Sequence, residues 1–183
     1  EYTITAKKII IATGSEPVIF PEWKESKEYI LTTDTLFEQK DLPSKIALLG
    51  GGVIGLELGQ ALARLGIDIT LVHSHKNLAG IFDKKVNDSI IDAVSQDMKL
   101  WLGHKADLKQ SKNKVTVQTP VHKTEVDMVI AAAGRRPNLK NLDIEKAGIK
   151  LGTKGIPEYN ADTMQIQNSN IYIAGDANAD VPL

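Results

Sequence analysis

Gly50-Gly51-Gly52-Val53-Ile54-Gly55 carries the strongest chemical signal in the chain. Its pattern is G-x-G-x-x-G, which gains meaning only where a strand enters it and a helix leaves it. Here the apolar run Ile46–Leu49 precedes it, and Ile54, Leu58, Leu62 and Leu65 follow at the spacing of one helical stripe that ends at Gly66. In that setting Gly50 permits the tight turn, Gly52 lets the backbone approach a pyrophosphate, and Gly55 lets helix and strand pack closely. The phosphates of a dinucleotide would rest on N–H groups of this turn, Gly51, Val53 and Ile54 included, at the positive end of the helix. The alternative is a glycine-rich turn that binds nothing.

About 20 residues beyond such a turn, at the end of the second strand, an Asp or Glu ordinarily accepts the ribose hydroxyls of NAD. That position is His73, followed by Ser74, His75 and Lys76. A carboxylate would repel a 2′-phosphate, whereas a hydroxyl, an imidazole and an ammonium can donate to one. The cluster therefore favours NADP(H), against the plainer reading of two solvated loop histidines.

Other chemistries are narrowed by composition. The 183 residues contain no Cys, which excludes disulfides, Cys-based zinc sites and Cys nucleophiles among them. The four His form neither a His-x-x-x-His nor an HExxH pair, so no metal site is expected, and no residue is nominated as catalytic. Lys+Arg number 22 and Asp+Glu 23, a net charge of −1 that gives no electrostatic reason for a nucleic acid or an anionic membrane as partner. No apolar run approaches the ~20 residues that span a bilayer. A soluble, cytoplasmic protein is expected. The chain opens at Glu1 without an initiator Met and reads as an excerpt of a longer one.

The elements that must position these residues follow from periodicity. Lys8–Ala12, Lys45–Leu49, Ile67–Val72, Lys114–Gln118, Val126–Ala131 and Ile171–Ala174 read as strands, and those apolar on both faces belong in a parallel sheet covered by helices. Val86, Ile90, Val94 and Met98 repeat every four residues, which predicts a second helix from Lys84 to about Lys99. Pro17–Pro43 reads as a connection with at most a short helix. Strand, glycine turn, helix and strand make a βαβ unit. The expected class is α/β, a Rossmann-like parallel sheet with helices on both faces plus a small antiparallel β element.

Ala12-Thr13-Gly14-Ser15 after a strand, GGGVIGLE at Gly50–Glu57, and AAAGRRPN at Ala131–Asn138 leading to IYIAGDAN at Ile171–Asn178 occur in this order along the chain. With these motifs the sequence resembles the flavin-dependent pyridine nucleotide–disulfide oxidoreductases, and within them the dihydrolipoamide dehydrogenases. The resemblance implies that residues 21–137 are an inserted NAD(P)-binding domain, while 1–20 and 138–183 are strips of a second, FAD-binding domain. It implies Thr13, Gly14 and Ser15 near the FAD, Asp176 on a ribityl hydroxyl, and Glu57 and Gly134 near the nicotinamide. Arg135 and Arg136 read as ion-pair partners that link the fold rather than as ligands. Hydride would pass between nicotinamide and FAD and on to a disulfide. The cofactors implied are NAD or NADP here, with FAD in the parent protein; family usage favours NAD where His73 favours NADP.

The family's redox cysteines and first FAD-binding glycine turn would precede Glu1, and its C-terminal dimer domain would follow Leu183. The parent would then be a homodimeric enzyme and these residues alone inactive. Two other readings stay open: a flavin reductase or NADH oxidase relative without a redox disulfide, and a non-catalytic nucleotide-binding domain.

Overall fold

The computed structural model describes residues 2–152 and 155–178. In chain order the strands are β1 (Ile9–Ile11), β2 (Ser15–Pro17), β3 (Ile30–Leu31), β4 (Lys45–Leu49), β5 (Asp68–His73), β6 (Lys99–Leu102), β7 (Asp107–Ser111), β8 (Lys114–Gln118), β9 (Lys123–Val126), β10 (Met128–Ala131), β11 (Arg135–Pro137) and β12 (Ile171–Ile173). The α-helices are α1 (Thr33–Leu36), α2 (Val53–Arg64) and α3 (Lys84–Val94). The chain divides into two compact units, one of residues 17–134 and one of residues 1–16 with 135–183.

The unit of residues 17–134 is built on a parallel sheet ordered β3-β10-β4-β5-β6. Side chains alternate along its strands. Ile46, Leu48, Ile69, Leu71 and Ile130 face a core shared with Leu36 of α1, Leu62 of α2 and Val94 of α3. Ala47, Leu49, Val72, Val129 and Ala131 face a second core with Trp23, Val115, Val117 and Val126. The α-helices therefore cover one face. On the other, a 3₁₀ helix over Pro21–Tyr29 and the antiparallel sheet β7-β8-β9 stand where an α-helical layer is expected. Val115 and Val117 of β8 are fully buried in this core, so a sheet seals this face as a helix would.

Three local expectations change. The helix from Lys84 stops at Val94 rather than running to Lys99, and Lys99–Leu102 is a strand paired with β5. Met98 keeps the four-residue spacing, but the chain turns before it because the Asp97 carboxylate accepts hydrogen bonds from Gln60 (2.9 Å) and Arg64 (3.1 Å) of α2. The run Val126–Ala131 breaks at Asp127, separating antiparallel β9 from parallel β10. Its carboxylate accepts from the Lys45 N–H at 3.2 Å and pairs with Lys114 at 3.2 Å. Within 17–43 the chain forms not only the 3₁₀ helix and α1 but also β3, an edge strand of the parallel sheet. α1 is short but capped, Thr32 and Thr35 exchanging hydrogen bonds in a capping box.

In the other unit, β1 pairs in parallel with β12, Ile9 opposite Ile171 and Ile11 opposite Ile173. Ile11, Leu139, Ile144, Ile149, Ile166, Ile173 and Ala177 form its core. β2 pairs with β11.

Candidate functional site

The glycine turn joins β4 to α2 where the sheet order reverses, with β5 and β6 on one side of β4 and β10 on the other. Such a switch point opens a crevice at the carboxyl ends of the strands. The Gly50 N–H donates to the Val72 carbonyl at 2.9 Å, and the Ala132 N–H to that of Leu49 at 2.8 Å, so the turn leaves the sheet bonded on both sides.

Each glycine of the pattern meets a different environment. Gly50 has φ +126°, and a Cβ there would lie 2.2 Å from the Ala132 carbonyl oxygen. A Cβ on Gly55 would lie 2.0 Å from the Gly50 oxygen and 3.0 Å from the Leu48 side chain, and one on Gly59 2.8 Å from the Met98 sulfur. At Gly51 a Cβ would strike the His73 ring and Leu78, each at 2.8 Å. Gly52 alone of these faces open space. It is the N-cap of α2 and offers no side-chain cap, so the first turn of the helix, Val53 and Ile54 included, presents backbone N–H groups at its positive end. A turn walled in at Gly50 and Gly55 but open at Gly52 suits a phosphate group that must approach the backbone closely. Glu57 is exposed on α2 one turn further on, and Gly134 is exposed with φ +137°.

His73 ends β5 and is half-buried, while Ser74, His75 and Lys76 are exposed. The two imidazoles meet edge to face, with centroids 5.5 Å apart. Burial, and then the neighbouring His75, hold the His73 pKa below its ordinary value, against a smaller opposing effect of a backbone hydrogen bond at Asn77. His73 is thus predominantly neutral near pH 7. Gly103, just past β6, donates its N–H to the carbonyls of His73 (2.9 Å) and His75 (3.2 Å). The Ala79 N–H donates to the Gly51 carbonyl at 2.7 Å, bonding the loop after β5 directly to the glycine turn.

In the other unit, the FAD-side residues of the sequence reading meet one another. The Ser15 hydroxyl donates to the Asp176 carboxylate at 3.0 Å and accepts from the Arg135 guanidinium at 2.8 Å. Thr13 donates to the Asn138 carbonyl at 2.8 Å, and the Asn138 N–H to the Gly14 carbonyl at 2.9 Å. Arg136 pairs with Glu16 at 2.6 Å. Both arginines therefore hold β2 and β11 together. Ser15 orients Asp176, which is partly exposed on the 3₁₀ turn Gly175–Ala177.

Sequence reasoning passed over Ala132, whose carbonyl fills the space of the missing Gly50 Cβ, and Asn87, which holds the loop after β5. Ala132 lies within the AAAGRRPN run, but its contact with Gly50 joins two strands and carries no sequence signal, and Asn87 lies in no motif. A polar Asn on the otherwise apolar stripe side of α3 was the available signal for the second. Among the described residues no group of His, Asp and Glu could hold a metal ion, and no helix is long and apolar enough to cross a membrane.

A family profile described as pyridine nucleotide-disulphide oxidoreductase matches residues 1–182. This chain belongs to that family. It is 34% identical over 180 residues to a mercuric reductase of Staphylococcus aureus, covering 94% of this chain and 32% of that protein. It is 34% identical over 191 residues to a dihydrolipoyl dehydrogenase of the same organism, covering 99% of this chain and 40% of that protein. Among solved structures, the HOCl-induced flavoprotein disulfide reductase RclA of Escherichia coli superposes with a TM-score of 0.87 at 25% identity, over 97% of this chain and 41% of that one. The family member described here therefore spans about a third to two-fifths of the curated relatives it matches.

Proposed function

We propose that this chain is the pyridine-nucleotide-binding part of a dihydrolipoyl dehydrogenase-like flavoprotein. Residues 21–137 form its NAD(P) domain, and residues 1–20 and 138–183 contribute to its FAD domain. The observation that carries the reading is the glycine turn at the sheet's switch point, sterically closed at Gly50 and Gly55 and open at Gly52 beside an uncapped helix N-terminus. The chain's own residues bind and orient: the Gly50–Gly55 turn takes the pyrophosphate, the loop from His73 to Lys76 takes the adenosine ribose, and Glu57 and Gly134 border the nicotinamide. Thr13–Ser15 and Asp176 serve the FAD side, with the two hydroxyls acting by holding Asp176 and β11. A nicotinamide held by these residues would supply hydride chemistry towards a flavin, with a disulfide of a homodimeric parent protein as the onward acceptor. With no Cys, these 183 residues by themselves are expected to turn over no lipoamide.

NADP(H) is the proposed partner of the His73–Lys76 loop. Replacing His73 by Glu restores an ionised acceptor for the ribose hydroxyls, worth about 1.5–3 kcal/mol and hence roughly a 10- to 150-fold gain in NADH affinity. Calorimetric titration of the full-length protein with NADPH and NADH at pH 8 and pH 6 tests the assignment. NADPH binding is expected to tighten more than NADH binding on acidification, because only the phosphate gains from an imidazolium. The contribution of His73 itself arrives below its ordinary titration range, since its pKa is lowered. Equal or NADH-favouring affinity at pH 6 overturns the NADP assignment, and binding of neither cofactor overturns the dinucleotide reading. Lipoamide-dependent oxidation of the reduced nicotinamide by the same protein tests the disulfide acceptor.

A further inference from the structure

Asn87 occupies the first turns of α3 with 8% of its surface exposed, in an element where Asn is a poor helix former. A buried amide costs stability unless its polar atoms are bonded. Both of its groups are bonded, and both reach the same loop. Its Oδ1 accepts from the Leu78 N–H at 2.8 Å, and its Nδ2 donates to the Lys76 carbonyl at 3.4 Å.

The bonded segment is the loop between β5 and α3, which packs against the glycine turn. Leu78 is fully buried, and its side chain closes on Gly51 so tightly that a Cβ there would stand 2.8 Å from it. The next residue, Ala79, adopts φ +51° and donates to the Gly51 carbonyl at 2.7 Å. A left-handed Ala persists where surrounding bonds over-determine it. On the other flank the Gly103 N–H holds the His73 and His75 carbonyls, and the stem of Lys76 lies over Gly103. Loop and turn thus form one bonded assembly in which the Ser74, His75 and Lys76 side chains are exposed while their backbone is tethered.

Resting on the dinucleotide reading above, we infer that Asn87 is a positioning residue for cofactor choice. By fixing Lys76 and Leu78 it sets where the polar groups of the Ser74–Lys76 loop stand relative to the phosphate-binding turn. A 2′-phosphate on the adenosine ribose meets this loop, whereas the pyrophosphate common to both cofactors meets the glycine turn. Loosening the loop therefore weakens NADPH more than NADH. A residue with a merely structural role would weaken both alike.

The test compares full-length wild type with the Asn87→Leu variant, which keeps the branched shape and removes both hydrogen bonds, by titration with NADPH and with NADH. The NADPH-to-NADH affinity ratio is expected to fall roughly fivefold or more, as loss of an ordered hydrogen bond implies. Binding with an unchanged ratio overturns the inference alone, and no binding of either cofactor by wild type overturns the dinucleotide reading and this inference with it. Hydrogen exchange on the wild type decides the matter if the variant does not fold. Slowing of the Leu78 and Ala79 amides by NADPH beyond that by NADH supports the role, and equal slowing overturns it.

Discussion

The glycine turn of residues 50–55 and the clasp of Thr13, Ser15, Asp176 and Arg135 are both short segments with a proposed part in cofactor binding, yet they are held by opposite means. The turn is held by what is missing: carbonyls of Ala132 and Gly50 occupy the places where side chains would begin. The clasp is held by what is present, a run of hydroxyl, carboxylate and guanidinium hydrogen bonds between residues as far apart as 15 and 176. A steric constraint between backbones has nowhere to relax. A partly exposed polar network can exchange a lost partner for water. The first arrangement tolerates almost no substitution, and the second should degrade gradually.

The comparison breaks most visibly at Gly50 and Gly55. Alanine at either position introduces an overlap with backbone, and at Gly50 a left-handed φ as well. Overpacking at ~1–3 kcal/mol and conformational strain at ~1–2 kcal/mol together predict a loss of about 3 kcal/mol or more in urea unfolding. Stability within 1 kcal/mol of wild type for Gly50→Ala would refute the steric account. Gly52→Ala sharpens the contrast, since its Cβ enters open space at φ −76°. That variant should unfold within about 1 kcal/mol of wild type while binding reduced nicotinamide cofactor at least ~10-fold more weakly, a loss of about 1.4 kcal/mol. Unchanged affinity would show that no phosphate approaches there.

Effects in the clasp should be smaller. Ser15→Ala removes a donor to Asp176 and an acceptor for Arg135, at a cost of about 1 kcal/mol each for ordinary hydrogen bonds less what water restores. A loss above ~3 kcal/mol in the same unfolding experiment would place the clasp with the turn. Arg136→Ala breaks only the exposed pair with Glu16 and should cost ~0–1 kcal/mol, screened by salt.

The smallest effect concerns acid. The folded-state pKa of His73 lies below its unfolded value, so as pH falls through ~6.5 the unfolded chain takes up its proton first. The corresponding stability is complete above that pH and is lost as pH falls towards the depressed folded value. His73→Asn removes this part of the acid-side loss, visible as a shallower decline in the urea midpoint between pH 7 and pH 5. Identical declines in the two proteins would show that His73 pays no penalty for its burial.

Much of this architecture was legible beforehand because its signals are local. Glycine spacing, the stripe Ile54-Leu58-Leu62 and the apolar run Ile46–Leu49 each lie within a few residues, and together they predict the βαβ unit that α2 and its flanking strands form. The ordered motifs carried the family as well. Single-residue spacing misled where a distant partner intervened: Met98 continues the period of α3, but bonds from Gln60 and Arg64 to Asp97 turn the chain first.

What the sequence determined by itself is the set of places where a side chain is forbidden or buried, since φ preference and burial periodicity act along the chain. Tertiary structure decided what lies across those places. It set the antiparallel sheet β7-β8-β9 over the second face, put the Ala132 carbonyl against Gly50, and brought Asn87 and Ala79 to the loop and turn that they join. These contacts join residues of different elements, from nine to more than eighty positions apart, and no local propensity encodes them. They form because a buried amide or carbonyl must find a partner once the sheet has closed around it.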